Sequence, residues 1–283
     1  PDAVEPAIVV AGDLTPSETV QLDKDRVLAF VMVGGSANSH TAVLARTLDI
    51  PALAGTPLSL DDNLEGRTGI VDGGAGRLYV EPDENTLAEF TRRQQEELEK
   101  KKGLMSLKGR ENVTLDGRKI MLYANIGSLE ELDAAIQNDA GGIGLFRSEF
   151  IFMERDRYPA EEEQFQIYRQ AAEKMAGKPV VIRTLDLGAD KQCDYLKMDQ
   201  EENPALGLRG IRVSLTRPEL FRTQIRALLR ASVFGNIKIM YPMISSLKEI
   251  KQIRELVSQT EEELTRQGIP WGRPKQGIMI ETP

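Results

Sequence analysis

The fold of this chain is decided by residues 142–165, which read GIGLFRSEFIFMERDRYPAEEEQF. Gly142–Phe146 is a short and nearly continuous apolar run, which is typical of a buried β-strand. A segment with helical spacing, Ala160–Met175, follows it. Arg147 comes directly after the apolar run, so the sequence predicts a strand that ends on a positive charge and is followed by a helix.

The same alternation continues on both sides of this unit. Further strands are predicted at Ile120–Ile126, Val180–Leu185, Ile237–Met243 and Gly277–Glu281. Further helices are predicted at Leu129–Asn138, Pro218–Ser232 and Leu247–Gln267. Apolar strands that alternate with helices indicate an α/β fold with a parallel sheet covered by helices.

Five such strands are compatible with two architectures. One is an incomplete (β/α)₈ barrel of the TIM type, and the other is a complete doubly wound sheet; periodicity alone favours neither. No glycine-rich dinucleotide fingerprint opens a helix after any of the predicted strands, which weakens the doubly wound alternative. We therefore predict part of a barrel.

Charged residues recur at or near the ends of the predicted strands. Arg147, Arg183 and Glu281 each occupy such a position. In a barrel these ends surround one mouth, where active sites are built. The two arginines offer forked donors for phosphate or carboxylate groups, and a glutamate can hold Mg²⁺ beside a phosphate. A surface ion pair would explain any one of them, but the three together predict an anion site.

The first part of the chain contains the only histidine, His40, within the segment Gly34–Gly55. An apolar run, Val27–Val33, predicts a buried strand before it, and Thr41–Leu48 has helical spacing after it. Ser36, Asn38 and Ser39 are good N-cap residues, so His40 is expected near the first turn of a helix. That position favours a neutral, nucleophilic imidazole and an added anion such as a phosphoryl group. The alternative is a histidine that only caps or packs.

Short strands predicted at Ala7–Ala11, Pro51–Gly55, Thr68–Val71 and Arg77–Val80 complete a compact α/β domain. We expect it to cover residues 1–82. The polar segment Asp83–Gly103 predicts an exposed helix, and residues 83–112 are interpreted as a linker region. Residues 113–283 then form the domain with the parallel sheet.

Composition restricts the class of protein. The formal net charge of −8 argues against binding to nucleic acid, whose recognition depends on contacts to phosphates. No apolar run approaches the roughly 20 residues that cross a bilayer, so no membrane insertion is expected. One cysteine excludes an internal disulfide and, with one histidine, argues against a Cys/His zinc site. A cytoplasmic location fits these features.

Several long runs resemble enzyme I of the bacterial phosphoenolpyruvate:sugar phosphotransferase system. The histidine segment matches its pattern at Ser39-His40-Thr41, Ala45-Arg46, Ile50-Pro51-Ala52 and Gly55. Four further runs, DLTPSET, GIGLFRSEFIFMERDRYPAEEEQF, VIRTLDLGADK and ENPALGLRGIR, are similar to enzyme I across the rest of the chain. Ala37-Asn38 departs from the family, which usually has Arg-Thr before Ser-His, and Ser36 takes the place of a glycine.

The resemblance implies a role for each matching residue. His40 would be the phosphorylated residue, through Nε2, and Arg147 and Arg183 would bind phosphoenolpyruvate (PEP). Arg209 and Lys191 would be additional anion contacts, and Glu281 would be the first carboxylate ligand of Mg²⁺. The implied partners are PEP, a histidine-containing phosphocarrier protein and a second copy of the chain, which would form a homodimer through the barrel domain.

The resemblance also implies that further functional groups of enzyme I lie beyond this segment. These are a second magnesium carboxylate, another arginine and the cysteine that protonates the enolate; Cys193 stands in a different context. The chain is therefore expected to be an internal piece that is inactive alone. Two alternatives stay open: a dikinase or synthase that uses PEP, and a non-catalytic regulatory relic with an altered Ala37-Asn38 site.

Overall fold

The computed structural model describes residues 5–12, 14, 22, 26–35, 39, 41–42, 45, 50–59, 63–153, 155–188, 194–196, 201–203 and 206–282. The chain forms two compact units, Pro1–Ser106 and Leu107–Pro283. Within the described residues, no helix combines the length and the apolar composition that crossing a membrane requires. The predicted boundaries at residues 82 and 112 stay predictions.

The first unit contains a small parallel sheet of β1 (Ala7–Ala11), β2 (Val27–Met32) and β3 (Ala52–Leu53), in that order. A separate antiparallel hairpin pairs β4 (Gly69–Asp72) with β5 (Arg77–Val80). These strands agree with the predicted ones to within about one to three residues at each end. Phe30 and Met32 of β2 are buried with Ala45 in the core of this unit.

Helix α1 (Glu84–Met105) follows the hairpin, and none of its residues is buried. Its first turn is capped by Asp83, whose Oδ1 accepts a hydrogen bond from Thr86 N at 2.8 Å. Near this end, the ring of Phe90 lies 5.2 Å from that of Tyr79 on β5. The exposed, polar helix of the prediction is therefore present, and it continues two residues past Gly103.

The second unit is built around a five-stranded parallel sheet with the order β10-β9-β8-β7-β6. Its strands are β6 (Ala124–Ile126), β7 (Ile143–Arg147), β8 (Val180–Arg183), β9 (Ile237–Tyr241) and β10 (Lys275–Ile278). Its helices are α2 (Leu129–Gln137), α3 (Glu149–Met153), α4 (Glu161–Lys174), α5 (Ile211–Thr216), α6 (Pro218–Ala231) and α7 (Leu247–Arg266).

This sheet confirms the predicted α/β class with a parallel sheet. Strands that are consecutive in sequence are neighbours in the sheet. The helices follow the same order: α4 packs between α2 and α6, and α6 packs between α4 and α7. A doubly wound sheet reverses its strand order at a switch point. The order β6 to β10 contains no such reversal among the described residues.

The core lies between the strands and these helices. Phe146, Ile182 and Ile239 are fully or almost fully buried on three neighbouring strands, as are Tyr168 on α4 and Leu228 on α6. The rings of Phe146 and Tyr168 meet edge to face with their centroids 6.3 Å apart. Large side chains buried from both layers account for most of the hydrophobic stabilisation and fix the helices against the sheet.

Capping explains why the main helices begin where the sequence predicts. Ser128 Oγ accepts a hydrogen bond from Glu131 N at 3.2 Å at the start of α2. Ser246 does the same for Glu249 N at the start of α7, and the Glu249 carboxylate accepts from Ser246 N in return, which completes a capping box. Pro218 occupies the first position of α6, where its missing N–H has no cost.

Two strand predictions missed an observed limit by three residues or more. The edge strand β6 begins at Ala124 and not at Ile120. Among the described residues β7 is its one neighbouring strand, and the backbone pairing of β6 with β7 starts at Ala124. Strand β10 covers Lys275–Ile278, so it begins two residues before the predicted Gly277 and ends three residues before Glu281. All four of its residues are exposed, so pairing with β9 and not burial of an apolar run determines its position.

Candidate anion-binding site at the strand ends

Two of the predicted arginines lie on adjacent strands. Arg147 is the last residue of β7 and Arg183 is the last residue of β8. The two strands are parallel, and Arg147 is paired directly with Arg183 in their register. Because parallel strands end at one edge of their sheet, both guanidinium groups belong to what we call the carboxyl edge, the edge formed by the C-terminal ends of β6 to β10.

Arg183 is buried among acidic partners. Its Nη2 donates to Glu149 Oε1 at 2.5 Å, and its Nη1 lies 3.1 Å from Asp186 Oδ2. The side chain is 10% exposed, while those of Glu149 and Asp186 are 1% and 4% exposed. Burial of these charges is tolerated because each has an opposite charge within hydrogen-bond distance. The guanidinium is therefore held in one orientation.

Arg209 reaches the same cluster from the loop before α5. Its Nε and Nη2 donate to the two oxygens of Asp186 at 3.0 and 3.2 Å, which is a bidentate pair. Gly210, the next residue, has φ +56°, and a Cβ there would lie 3.0 Å from Met243 Cγ and 3.2 Å from Asp186 Oδ1. Asp186 thus joins Arg183 to Arg209, and glycine at 210 permits the close approach of the loop.

Arg147 has a more open environment. Its side chain is 33% exposed, its guanidinium carbon lies 4.8 Å from the centre of the Phe150 ring, and its Nη2 is 3.6 Å from Glu131 Oε2. That carboxylate already accepts a hydrogen bond from Gly127 N at 2.6 Å. Arg147 is therefore oriented by a ring and a distant carboxylate, and it keeps donors for an incoming anion.

Arg147 and Arg183 each have a buried Nε atom that lacks a hydrogen-bond acceptor among the described residues. A buried N–H without an acceptor is costly, so most are satisfied in folded proteins. An anion at the carboxyl edge would supply acceptors to both.

Glu281 lies three residues beyond β10, on the same side of the sheet. Its Oε1 accepts a hydrogen bond from Met243 N at 2.7 Å, and Met243 follows β9 with φ +58°. Two residues before Glu281, Met279 places its sulfur 3.7 Å from Arg183 Nη1. The segment that carries Glu281 therefore contacts the arginine cluster.

His40 and Lys191 lie outside the described residues, as do Cys193 and most of the DLTPSET run. Beside His40 in the sequence, Ser39 Oγ accepts a hydrogen bond from Ala42 N at 3.3 Å, and Thr41, Ala42 and Ala45 are helical. Of the three candidate N-cap residues, the structure therefore shows Ser39 in a capping contact. The predicted helix start at this point is present.

A metal centre built from protein ligands alone is not formed by the described residues. Within them, no group of three or more His, Cys, Asp or Glu side chains is arranged to hold a metal ion. Mg²⁺ is commonly held by one or two carboxylates together with substrate phosphates and water. The exposed Glu281 carboxylate is compatible with that second mode.

The sequence analysis missed the acidic residues of the site. Glu149 and Asp186 both lie inside runs that were singled out for their arginines. The spacing of three residues between Arg183 and Asp186 was a usable signal, because a loop after a strand readily brings such a pair together. Glu149 gave no such signal, since its pairing with Arg183 joins residues 34 positions apart.

Comparison with known proteins agrees with this geometry. Residues 101–283 match the PEP-binding domain of PEP-utilising enzymes, and residues 3–76 match the mobile domain of the same enzymes. The first match contains β6 to β10 and therefore the whole carboxyl edge. The second contains the segment around His40.

Curated relatives named phosphoenolpyruvate-protein phosphotransferase match nearly the whole chain. The protein of Staphylococcus epidermidis is 44% identical over 99% of this chain and 49% of its own length. Those of Staphylococcus carnosus and Priestia megaterium are 43% and 41% identical over 100% and 99% of this chain, and over 50% and 49% of their own lengths. The chain thus spans about half the length of these relatives.

The resemblance to enzyme I is confirmed by these relatives. Since the PEP-binding domain accounts for more than half of the residues, the chain belongs to the PEP-utilising enzymes.

Proposed function

We propose that the protein containing this chain transfers the phosphoryl group of PEP to His40 and then to a histidine-containing phosphocarrier protein, with release of pyruvate. The observation that carries the proposal is the direct pairing of Arg147 with Arg183 at the carboxyl edge of a PEP-binding domain. It is supported by relatives that are named phosphoenolpyruvate-protein phosphotransferase at 41–44% identity.

Substrate binding follows from the chemistry of the arginines. PEP carries a phosphate and a carboxylate, and planar guanidinium groups bind both in a bidentate way. Arg147 and Arg183 would contact these groups, while Arg209 and Lys191 would add positive charge. Asp186 and Glu149 would keep Arg183 in place before the substrate arrives, which lowers the cost of ordering on binding.

Phosphoryl transfer would form a bond between Nε2 of His40 and phosphorus and break the bond between phosphorus and the enol oxygen of PEP. The enolate that leaves takes up a proton at carbon and becomes pyruvate. The arginines would stabilise negative charge that spreads over the transferring group. Ser39 Oγ accepts a hydrogen bond from Ala42 N at the helix start beside His40, and the positive end of a helix dipole would favour the added phosphoryl group.

Glu281 would supply one oxygen ligand to Mg²⁺ at the phosphate of PEP. When bound, Mg²⁺ supplies charge neutralisation for the phosphate oxygens. The hydrogen bond from Met243 N to Glu281 Oε1 would orient the carboxylate and leave its other oxygen as the candidate ligand. Magnesium use by PEP-utilising enzymes is general, and the assignment to Glu281 is part of this proposal.

The unidirectional strand order supports a wider architecture. We propose that β6 to β10 are part of a (β/α)₈ barrel, that the first unit carries a swivelling phosphohistidine domain, and that the exposed α1 serves as the linker between them. A homodimer formed through the barrel and a cytoplasmic location complete the proposal.

The test uses the full-length protein that carries this sequence, incubated with Mg²⁺ and PEP labelled on phosphorus. We expect one acid-labile, base-stable label per chain, none in His40→Ala, and onward transfer to a histidine-containing phosphocarrier protein. Transfer to a nucleotide would instead support a dikinase. A protein that takes up no label would support a regulatory relic and contradict the proposal, and so would labelling of His40→Ala.

A further inference from the structure

A buried polar network lies directly below the carboxyl edge. At its centre is Gln224 on α6, which is 1% exposed. Its Oε1 accepts a hydrogen bond from Leu185 N at 2.9 Å, and its Nε2 donates to Ser148 Oγ and to Tyr168 Oη, both at 3.0 Å. Both amide protons and the amide oxygen are therefore used inside the protein.

The partners of Gln224 adjoin the two paired arginines. Ser148 follows Arg147 at the end of β7, and its Oγ donates to the carbonyl oxygen of Arg183 at 2.6 Å. Leu185 comes two residues after Arg183. One glutamine side chain thus connects the backbone just beyond β7 with the backbone just beyond β8.

The direction of each hydrogen bond is determined by the chemistry of the groups. A carbonyl only accepts, so Ser148 must donate to Arg183 O and must accept from Gln224. Burial raises the pKa of Tyr168 far above its usual range, so its hydroxyl keeps its proton and donates to Gln164 Oε1 at 3.3 Å. Gln224 Nε2 donates to both hydroxyl oxygens, and the Ser148 and Tyr168 hydroxyls also lie within hydrogen-bonding reach of each other.

Glutamine is suited to this position for a chemical reason. Leucine would leave the buried Leu185 N–H and two hydroxyl oxygens without their partner, and glutamate would have no proton to donate to either hydroxyl. Asparagine is one methylene shorter and could not reach all three groups from the same helix.

We infer that Gln224 is a positioning residue that sets the spacing between Arg147 and Arg183 and so matches the two guanidinium groups to one bound PEP anion. The inference rests on the proposed function and extends it to a residue that does not contact substrate. A change of about 1 Å in the position of binding groups can reduce rates by about 100-fold, so a fixed spacing matters for turnover.

Gln164 offers a matched control. It is also a glutamine on a helix, α4, it is also 1% exposed, and it belongs to the same network through Tyr168. Its own amide donates to Pro159 O at 3.0 Å, and it has no hydrogen bond to Ser148 or Leu185. Gln164→Leu and Gln224→Leu should therefore lower thermal stability to a similar extent, but only the second alters the strand ends.

The experiment compares the two variants in the full-length protein carrying this sequence. Gln224→Leu is expected to raise the PEP concentration for half-maximal phosphorylation of His40 about tenfold or more, whereas Gln164→Leu changes it less than about twofold. Ser148→Ala, which removes only one hydroxyl, is a milder second variant and should raise it as well. The double variant Ser148→Ala/Gln224→Leu should raise it no further than Gln224→Leu, because both changes break one chain of hydrogen bonds.

The inference would be overturned if Ser148→Ala and Gln224→Leu had the same PEP concentration for half-maximal phosphorylation as the unaltered protein. It would also be overturned if Gln164→Leu raised that concentration as much as Gln224→Leu does. Should Gln224→Leu fail to fold, Ser148→Ala is the test: a raised PEP concentration for half-maximal phosphorylation supports the inference, and an unchanged one overturns it. If the unaltered protein takes no phosphate from PEP, the proposed function fails. Amide hydrogen exchange then decides the inference: faster exchange at residues 147–149 and 183–185 in Gln224→Leu but not in Gln164→Leu supports it, and equal rates refute it.

Discussion

Among single residues, Asp186 has the largest share of the contacts that hold the site together. It is 3% exposed and contacts both Arg183 and Arg209. A buried carboxylate between two arginines adds little net stability when intact, but its removal leaves uncompensated buried charge. Strand periodicity predicted Arg147 and Arg183 at strand ends, whereas the role of Asp186 depends on a loop conformation that periodicity does not encode.

Asp186→Ala is expected to lower the free energy of unfolding by about 3–5 kcal/mol, because Arg209 loses a bidentate partner and Arg183 loses one of its two acidic partners among the described residues. Asp133→Ala is the control, since Asp133 pairs with Lys174 at 2.7 Å on the surface, with side chains 52% and 40% exposed. That change should cost less than about 1 kcal/mol. Urea-induced unfolding measures both, and equal losses would contradict the assigned role of Asp186.

Gly210→Ala tests the close approach of the loop that carries Arg209. Gly210 combines φ +56° with ψ −123°, where a residue with a Cβ costs about 1–3 kcal/mol, and here the new Cβ would also crowd Met243 and Asp186. Gly117 has φ +83° with nothing within 4 Å of a Cβ, so Gly117→Ala reports the backbone cost alone. Gly210→Ala should be the more destabilising by about 1–3 kcal/mol in urea unfolding, as crowded sites usually are. The explanation from crowding fails if the two losses are the same.

Among the elements, the long helices were predicted closely, because caps and apolar spacing are local signals. α7 was predicted at Leu247–Gln267 and observed at Leu247–Arg266. α3 was missed: Glu149–Met153 has only five residues, too few to show a helical period. It is this short helix that places Glu149 beside Arg183, so one of the two acidic residues that the sequence did not reveal lies on a helix that was also missed.

The start of α4 contains a titrating group with a defined effect on stability. Hydrogen bonds from Arg157, at 2.8 and 3.0 Å, and from Ala160 N, at 2.7 Å, lower the pKa of Glu163 from 4.5 to about 2. A lowered pKa means that the folded state prefers the carboxylate. The resulting stabilisation is complete above about pH 4.5 and is lost as the pH falls through about 2.

Glu163→Gln should therefore be less stable than the unaltered protein near neutral pH, and the difference should shrink steadily between about pH 4.5 and pH 2. Urea midpoints measured across that range test this. A difference that is independent of pH would show that the ionised carboxylate does not contribute.

For the whole molecule, the sequence was sufficient for the class of fold and for the location of the arginines. Five strands were predicted as elements, and the predicted barrel makes consecutive strands neighbours, but periodicity does not give the residue register between two strands. The pairing of Arg147 with Arg183 became visible only from the register of β7 and β8. That register, and not either arginine alone, supports the proposed binding of PEP.

Arg147→Lys tests this central claim most directly, because lysine keeps the positive charge but loses the planar fork. Arg169→Lys is a close control: Arg169 also lies over an aromatic ring, Phe234 at 4.3 Å, and also pairs with a glutamate, Glu173 at 2.8 Å. The measurement is kcat/KM for PEP-dependent phosphorylation of His40 in the full-length protein. We predict a loss of about 100-fold or more for Arg147→Lys and less than about twofold for Arg169→Lys. Equal values for the two variants would contradict the assignment of PEP binding to the carboxyl edge.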